Sequence, residues 1–393
     1  MLQVGSARQM DKNKKSLLVV AAVLVVVVLA ADSFTEAPYV EKGTLVEGGS
    51  RRQKTKASRD EFEALAAAID PKYKTSLPWA KASASVETLP KYLKYDERVL
   101  TIVEDQGVCA SCWSIAVTGM LADRISIYTN GAIKQRLSNQ EMISCWAGHN
   151  GDGCRIGGIP ELAYNYIIKN GITLEKDYPY DQEFTTKIAP CDKKNMSGKR
   201  VFAKAGSAVS LCVDPDKYPE GSDKWRQTVN ANIENMKREL FARGPIVGTI
   251  MIYEGVYNFD GMSVYKGPKH GEKLVGGHAC TITGVVEAGL NTDEPGFGGR
   301  YWCVKQSWGL EYPSKSPMSA GYMFIEMGTN CCGIESRASA CMPVITPEIS
   351  AKMVDSLDHS RFLSYKEYKN SAGKKNYIKK TTRLGSALQR LTC

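Results

Sequence analysis

The sequence predicts an α+β protein, helical in its first half and built in its second half from short antiparallel strands that close into a small barrel. Three observations carry that reading. Ser114–Tyr128 has apolar residues at Ile115, Val117, Met120, Leu121 and Ile125 and stops at Asn130-Gly131, the spacing of a buried helix. Ser138-x-x-Glu141 is a capping box ahead of Met142, and Pro160 opens a further helical stretch that Asn170-Gly171 ends. From about Gly244 onward the pattern changes to Ile246–Tyr253, Ala279–Val286, Tyr301–Val304 and Tyr322–Glu326, strand-length runs bounded by Gly, Pro and Asn. With 393 residues and 43% apolar content, the chain can bury a full core after its ends are set aside.

From the amino end, a basic segment, residues 1–16, precedes Leu17–Ala31, fifteen apolar residues in a row. Lys12, Lys14 and Lys15 hold the amino end inside, so the stretch is aimed at a membrane. At ~1.5 Å per residue it spans about 22 Å, short of the ~30 Å hydrocarbon core, and Val28-Leu29-Ala30 offers a small-residue cleavage site. Signal peptide and signal anchor both remain open; uncleaved, residues 17–31 are a membrane contact. Either way everything after Ala31 faces a lumen or the exterior. Residues 32–88 hold few large apolar side chains, the basic cluster Arg51-Arg52-Gln53-Lys54-Thr55-Lys56, and one short helical stretch, Arg59–Ile69. That is too little for a core of its own. The segment reads as a propeptide or a stalk, ahead of a folded unit at 89–345.

Residues 346–393 form a basic tail, read as disordered. It carries ten basic against four acidic side chains, and residues 1–16 four against one, which together account for the whole net charge of +9. The body is therefore neutral. Lys374-Lys375 and Lys379-Lys380 give the tail a charge that could touch acidic surfaces, with nothing that specifies nucleic acid. Twelve cysteines are dense for a cytosolic protein and favour an oxidising compartment, and Asn195-Met196-Ser197 is a glycosylation sequon suited to one. The sequence contains no metal cluster, phosphate loop or cofactor motif.

The chemistry concentrates in Gln106-Gly-Val-Cys109-Ala-Ser-Cys112-Trp113, which sets a thiol in the first turn of a helix behind a side-chain amide. Helix dipole and backbone N–H groups favour thiolate over thiol there. Cys109-x-x-Cys112 is also the spacing of a redox pair or half a zinc site, but no second C-x-x-C exists in the chain and no βαβ context surrounds it. His278 follows Gly276-Gly277 and begins an apolar run; a lone histidine at such a strand start is more often structural.

These residues resemble the papain-like cysteine peptidases, in order from about Leu89 to Val344. The blocks that carry the resemblance are Gln106–Trp113, Leu137–Cys145, Gly153-Cys154-Arg-Ile-Gly157-Gly158, Tyr178-Pro-Tyr180, Gly276-Gly-His278-Ala, Tyr301–Gly309 with Gln306-Ser-Trp308, and Cys332-Gly-Ile-Glu-Ser336. Arg243-Gly-Pro-Ile-Val with the last blocks looks most like the cathepsin B branch. The resemblance implies a two-lobed fold with the active site in a cleft, Cys112 on one wall and His278 on the other. It implies Cys112 as nucleophile, His278 as acid and base, Gln106 as oxyanion donor, and disulfides Cys109–Cys154 and Cys145–Cys191. Seven further cysteines, Cys212, Cys280, Cys303, Cys331, Cys332, Cys341 and Cys393, are left without an assigned pairing.

Two departures from the family matter. Gln306 stands where the family has an asparagine that orients the imidazole, so the arm is one methylene longer, with Trp308 placed to shield the contact. No histidine occurs between His149 and His270, so the histidine-bearing occluding loop of cathepsin B is missing; the stretch from about Asn195 to Asn230 reads as an inserted surface loop. The resemblance then implies endopeptidase action on protein or peptide substrates, in a lysosome-like or extracellular setting. Gly157, Gly158 and Gly277 are expected to line the substrate path, and Arg337 to sit at the floor of the pocket for the second residue before the cut, favouring acidic or polar side chains there. A weak or inactive papain-fold binding protein and a redox protein are the competing readings.

Overall fold

A computed structural model describes residues 89–95, 98–146, 153–183, 185–287, 298–313 and 320–354. The expected membrane-directed segment 17–31, the propeptide or stalk, and most of the basic tail lie outside the described residues. Among those described, no helix is long and apolar enough to cross a membrane.

Helix α1, Cys112–Tyr128, is the spine of the first half, and all seventeen of its residues are buried. A helix that is wrapped on every side cannot keep an amphipathic stripe, so its polar side chains must find partners within the protein. Thr118 and Ser114 both donate to Asn139 Oδ1, at 2.6 and 3.1 Å. Asn139 begins α2, Asn139–Cys145, whose N-cap Ser138 accepts from the Glu141 N–H at 3.0 Å. The Glu141 carboxylate does not close the box: it takes Tyr166, Thr173 and Arg200 instead. A one-turn helix α3, Gly153–Ile156, leads to α4, Pro160–Asn170, which has Pro at its first position and ends at Gly171. Trp113, Met120, Leu121, Met142, Leu162 and Ile167 form the core of this half.

The second half is a seven-stranded antiparallel sheet. In chain order its strands are β1 (Tyr92–Lys94), β4 (Val209–Ser210), β5 (Ile246–Tyr253), β6 (Leu274–Val286), β7 (Tyr301–Lys305), β8 (Tyr322–Glu326) and β9 (Ala338–Ala340). The two-residue strands β2 (Ile172–Thr173) and β3 (Arg200–Val201) pair separately. The strand order β4-β9-β5-β6-β7-β8, with β1 on β6, is an open path, and the expected barrel is not closed. Its outer strands β4 and β8 are not joined to each other among the described residues.

The inserted stretch also differs from the expected surface loop. Arg200–Val201 and Val209–Ser210 are spent on pairing with β2 and β9. Its end belongs to α5, Asp223–Arg243, whose N-cap Ser222 accepts from the Trp225 N–H. Trp225, Val229, Ile233, Met236 and Leu240 recur at helical spacing and pack beneath the sheet with Ile246, Ile282 and Trp302. Past β9, α6 (Pro347–Lys352) packs Ile349 on Ile125 and Ile133, so ordered structure runs into the start of the segment expected to be tail.

The two halves are pinned by Arg124 on α1, which is wholly buried. Its guanidinium donates to Glu239 on α5 at 2.9 Å, to the Pro245 carbonyl at 2.9 Å and to the Cys341 carbonyl at 3.0 Å. Removing one member of a buried pair leaves the other charge uncompensated. Arg124→Met is expected to lower stability by about 3 kcal/mol, the lower end of the usual range because Arg243 still pairs with Glu239. Urea unfolding with the disulfides intact measures this, and adding Glu239→Leu should recover part of the loss.

Candidate active site

Cys112 enters the site from the first turn of α1, and His278 from β6, where it lies opposite Ile250 of β5. The Cys112 sulfur accepts the backbone N–H of Ala279, next to His278, at 3.1 Å. The nucleophile's helix and the histidine's strand therefore meet at one peptide unit. His278 Nε2 and Gln306 Oε1 are 2.9 Å apart. An amide oxygen only accepts, so Nε2 carries the proton and Nδ1 of the neutral ring is the basic nitrogen. Nδ1 is buried without a hydrogen-bond partner. Trp308 stacks on the ring with centroids 4.4 Å apart and planes 28° apart, and Tyr312 meets Trp308 edge-on at 4.8 Å. Burial pushes the His278 pKa down to about 4, and the hydrogen bond that Nε2 donates to Gln306 offsets part of that.

Gln306 follows β7, and its amide nitrogen faces the Met323 sulfur at 3.8 Å, which leaves the oxygen for the imidazole. The longer arm thus reaches the ring at ordinary hydrogen-bond distance. Gln106 is held at both ends of its amide: Nε2 donates to the Cys109 carbonyl at 2.9 Å, and Oε1 accepts from Ser307 Oγ at 2.7 Å. Two hydroxyls brace the same loop. Tyr180 Oη donates to the Gln106 carbonyl at 2.8 Å, so its contact with Ser111 Oγ at 2.7 Å is one in which Ser111 donates. Ser111 is the N-cap of α1, yet it makes no side-chain cap.

Cys109–Cys154 and Cys145–Cys191 are bridged, while Cys212, Cys280, Cys303, Cys331, Cys332 and Cys341 are free.

The remaining predicted residues are dispersed around this centre. Gly158 packs against the protein itself: a Cβ there would lie 2.6 Å from the Trp113 ring. Gly157 closes α3 through its N–H to the Gly153 carbonyl at 2.8 Å, and Gly277 faces Met251 across β5 and β6. Arg337 is half-buried; its carbonyl accepts the Thr249 N–H at 2.8 Å. Arg337 also bears on Glu161, at the start of α4, whose carboxyl is pushed up by burial against the opposing pull of that guanidinium. Asn195 lies half-buried in the turn that bonds Met196 to Lys193. No group of three or more His, Cys, Asp or Glu side chains suited to a metal occurs among the described residues.

Sequence reasoning did not single out Ser111, Tyr180, Ser307 or Glu161. Tyr180 and Ser307 stand inside blocks already recognised, and their hydroxyls were the available signal. Glu161 has none, because its meeting with Arg337 joins positions far apart in the chain.

A buried helix-borne cysteine set beside a strand-borne histidine that a side-chain amide orients is the arrangement of a cysteine peptidase. Residues 89–342 match the model of the papain family cysteine proteases, and the chain belongs to that family. It is 30% identical over 251 residues to a gut-specific cysteine proteinase of Caenorhabditis elegans, covering 61% of this chain and 68% of that protein. It is 31% identical over 259 residues to cathepsin B-like cysteine proteinase 5 of the same organism, covering 61% and 69%. The fold is similar to that of procathepsin B S9 from Trypanosoma congolense, with a TM-score of 0.54 and 24% identity over 72% of this chain and 89% of that one. The chain is a papain-like peptidase of the cathepsin B branch.

The buried imidazole sets a pH dependence of stability. Its pKa is about 4 in the folded protein against an ordinary 6.5, so between those values the unfolded chain binds the proton and the folded one does not. Stability is therefore fully present above pH ~6.5 and lost as pH falls toward 4, by about 3 kcal/mol in all. Comparing urea unfolding of the wild type and His278→Gln across this range, without reductant, should show the wild type losing more on acidification; parallel curves would contradict it.

Proposed function

We propose that the chain is a thiol endopeptidase whose nucleophile is Cys112. The observation that supports this most directly is the meeting of the Cys112 sulfur with the Ala279 N–H, beside an imidazole whose Nδ1 is unpartnered and whose Nε2 faces Gln306. His278 takes the thiol proton on Nδ1 as the sulfur attacks the scissile carbonyl. The oxyanion draws on the Cys112 backbone N–H and on the Gln106 side-chain amide. His278 protonates the leaving amine, and water then clears the acyl-enzyme.

Endopeptidase action follows from the missing histidine loop and is supported by the use of Arg200–Val201 and Val209–Ser210 in strand pairing. Protein substrates in a secretory, lysosome-like or extracellular compartment suit the disulfides, with residues 32–88 as propeptide or stalk, residues 17–31 as signal or anchor, and Asn195 as glycan acceptor. An irreversible epoxide probe for thiol peptidases, applied with reductant, should label Cys112 and abolish cleavage. Disulfide exchange without cleavage would overturn the reading, as would dipeptide release as the main activity for its endopeptidase part.

Two kinetic expectations accompany it. Gln306→Ala should lower kcat by about 10–100-fold with little change in KM, since it removes a hydrogen bond that orients the base, and Gln106→Ala by about 100–1000-fold through the oxyanion. Loss confined to KM would show that these side chains bind substrate instead. Arg337 should make the pocket for the second residue before the cut favour acidic or polar side chains, and Arg337→Ala should relax that preference in a substrate library. A strong wild-type preference for arginine would be incompatible with it.

A further inference from the structure

Cys331 and Cys332 are adjacent in the chain and both are free thiols. They form most of the single 3-10 turn Cys331–Gly333, in which Asn330 has φ 49° and Cys332 has φ 53°. Left-handed backbone at two side-chain-bearing residues persists only where the surroundings over-determine it. Here they do. The Glu335 carboxylate accepts the N–H groups of Gly328 and Asn330, each at 2.7 Å, and Trp302 Nε1 at 3.1 Å. Asn330 Nδ2 in turn reaches Ser336 Oγ at 2.7 Å.

The two thiols are presented unequally, Cys331 buried and Cys332 half-exposed. The Cys331 sulfur approaches the Tyr265 carbonyl at 3.7 Å. A hydrogen bond with Cys332 pushes the Cys331 thiol up, and burial adds to it. Tyr265 is itself 8% exposed, and its hydroxyl has no hydrogen-bond partner. Burial raises that hydroxyl's pKa, and Cys332 and Cys331 add to it.

Geometry selects what such a pair can hold. Neighbouring Cα atoms are about 3.8 Å apart across a trans peptide, below the roughly 4.4–6.8 Å of an ordinary disulfide. A direct sulfur–sulfur bond is therefore disfavoured, whereas one soft atom set between the two sulfurs relieves the constraint. Zinc in a structural site asks for four protein ligands, and no group of three His, Cys, Asp or Glu exists among the described residues. What remains is a thiophilic centre satisfied by two thiolates.

We propose that Cys331 and Cys332 form a preorganised chelating site for such a soft centre, with a monosubstituted trivalent arsenical as the defining ligand class and the Tyr265 hydroxyl as a hydrogen-bonding wall. In the binding step two As–S bonds form while two S–H and two As–O bonds break. The two protons leave on the two departing hydroxyls as water, and no electrons are transferred. Cys332, the more exposed thiol, reacts first, and Cys331 closes the ring.

The test uses the full chain carrying Cys112→Ala, so that the outcome is independent of the proposed peptidase chemistry. Phenylarsine oxide is added in the presence of excess glutathione, and adducts are followed by intact mass and peptide mapping. One equivalent should stay bound to the peptide containing residues 331 and 332, resist glutathione and leave on addition of dithiothreitol. Holding two thiols together raises affinity by about 10²–10⁴-fold, so Cys331→Ala and Cys332→Ala should each weaken binding by that factor. Cys332→Ser, at the half-exposed position, decides the matter if Cys331→Ala fails to fold. Tyr265→Phe should weaken binding severalfold with unchanged thermal unfolding. Undiminished binding in either cysteine variant that folds, or an adduct mapped to other cysteines, overturns the site.

Discussion

Two short stretches, residues 104–106 and 307–309, are paired to each other, and the active centre depends on that pairing. The Gln106 N–H meets the Ser307 carbonyl at 2.8 Å, and the Gly309 N–H meets the Glu104 carbonyl at 3.1 Å. Between them Ser307 Oγ grips the Gln106 side chain. Gln106 thereby shares a rigid unit with Gln306 and Trp308, the residues that orient and cover the imidazole. No shift of one loop can leave the other in place. Gly107 makes the turn out of this unit possible: its φ is +60°, and a Cβ there would lie 2.1 Å from the Glu183 carbonyl oxygen.

Beneath this unit lies a small dry network. Lys305, the residue before Gln306, pairs with Asp123 of α1 at 2.6 Å, and Asp123 also receives the Thr101 N–H and hydroxyl at 2.6 and 2.7 Å. A buried pair of this kind adds little net stability over an apolar core. It does discriminate between registers. Side chains alternate along a strand, so a slip of β7 by one residue would carry Lys305 away from Asp123 and turn Gln306 away from His278. The helix that carries the sulfur thus sets the register of the strand that carries the ring's partner.

The parts of this arrangement that were legible in the sequence are those written in local pattern. α1 and α4 show in apolar spacing and their stop signals, α2 in its Ser138 cap, and the main strands in runs bounded by Gly and Pro. Cys112 could be read from its helix start; His278 could not, and needed the family resemblance. What stayed hidden is set by distant partners. The openness of the sheet depends on edges that no single strand encodes. α5 was partly lost because buried Asn232, Asn235, Lys237 and Glu239 interrupt the Trp225–Leu240 stripe. The reason that position 158 takes a glycine was hidden too, because a Cβ there would meet the Trp113 ring, forty-five residues away in the chain.

The charge states of the sulfur and of the ring are linked. Burial alone disfavours imidazolium, and His278 is accordingly neutral. Releasing the sulfur as a thiolate would place a negative charge near the ring, and an opposite charge within a few ångströms raises a histidine's pKa as it lowers that of the thiol. Trp308, by excluding water, strengthens both the cost of a lone charge and the attraction between a pair. The groove is therefore built to hold either no charge or two. Gln306 is compatible with both conditions, because its oxygen accepts the Nε2 proton whether Nδ1 is bare or protonated.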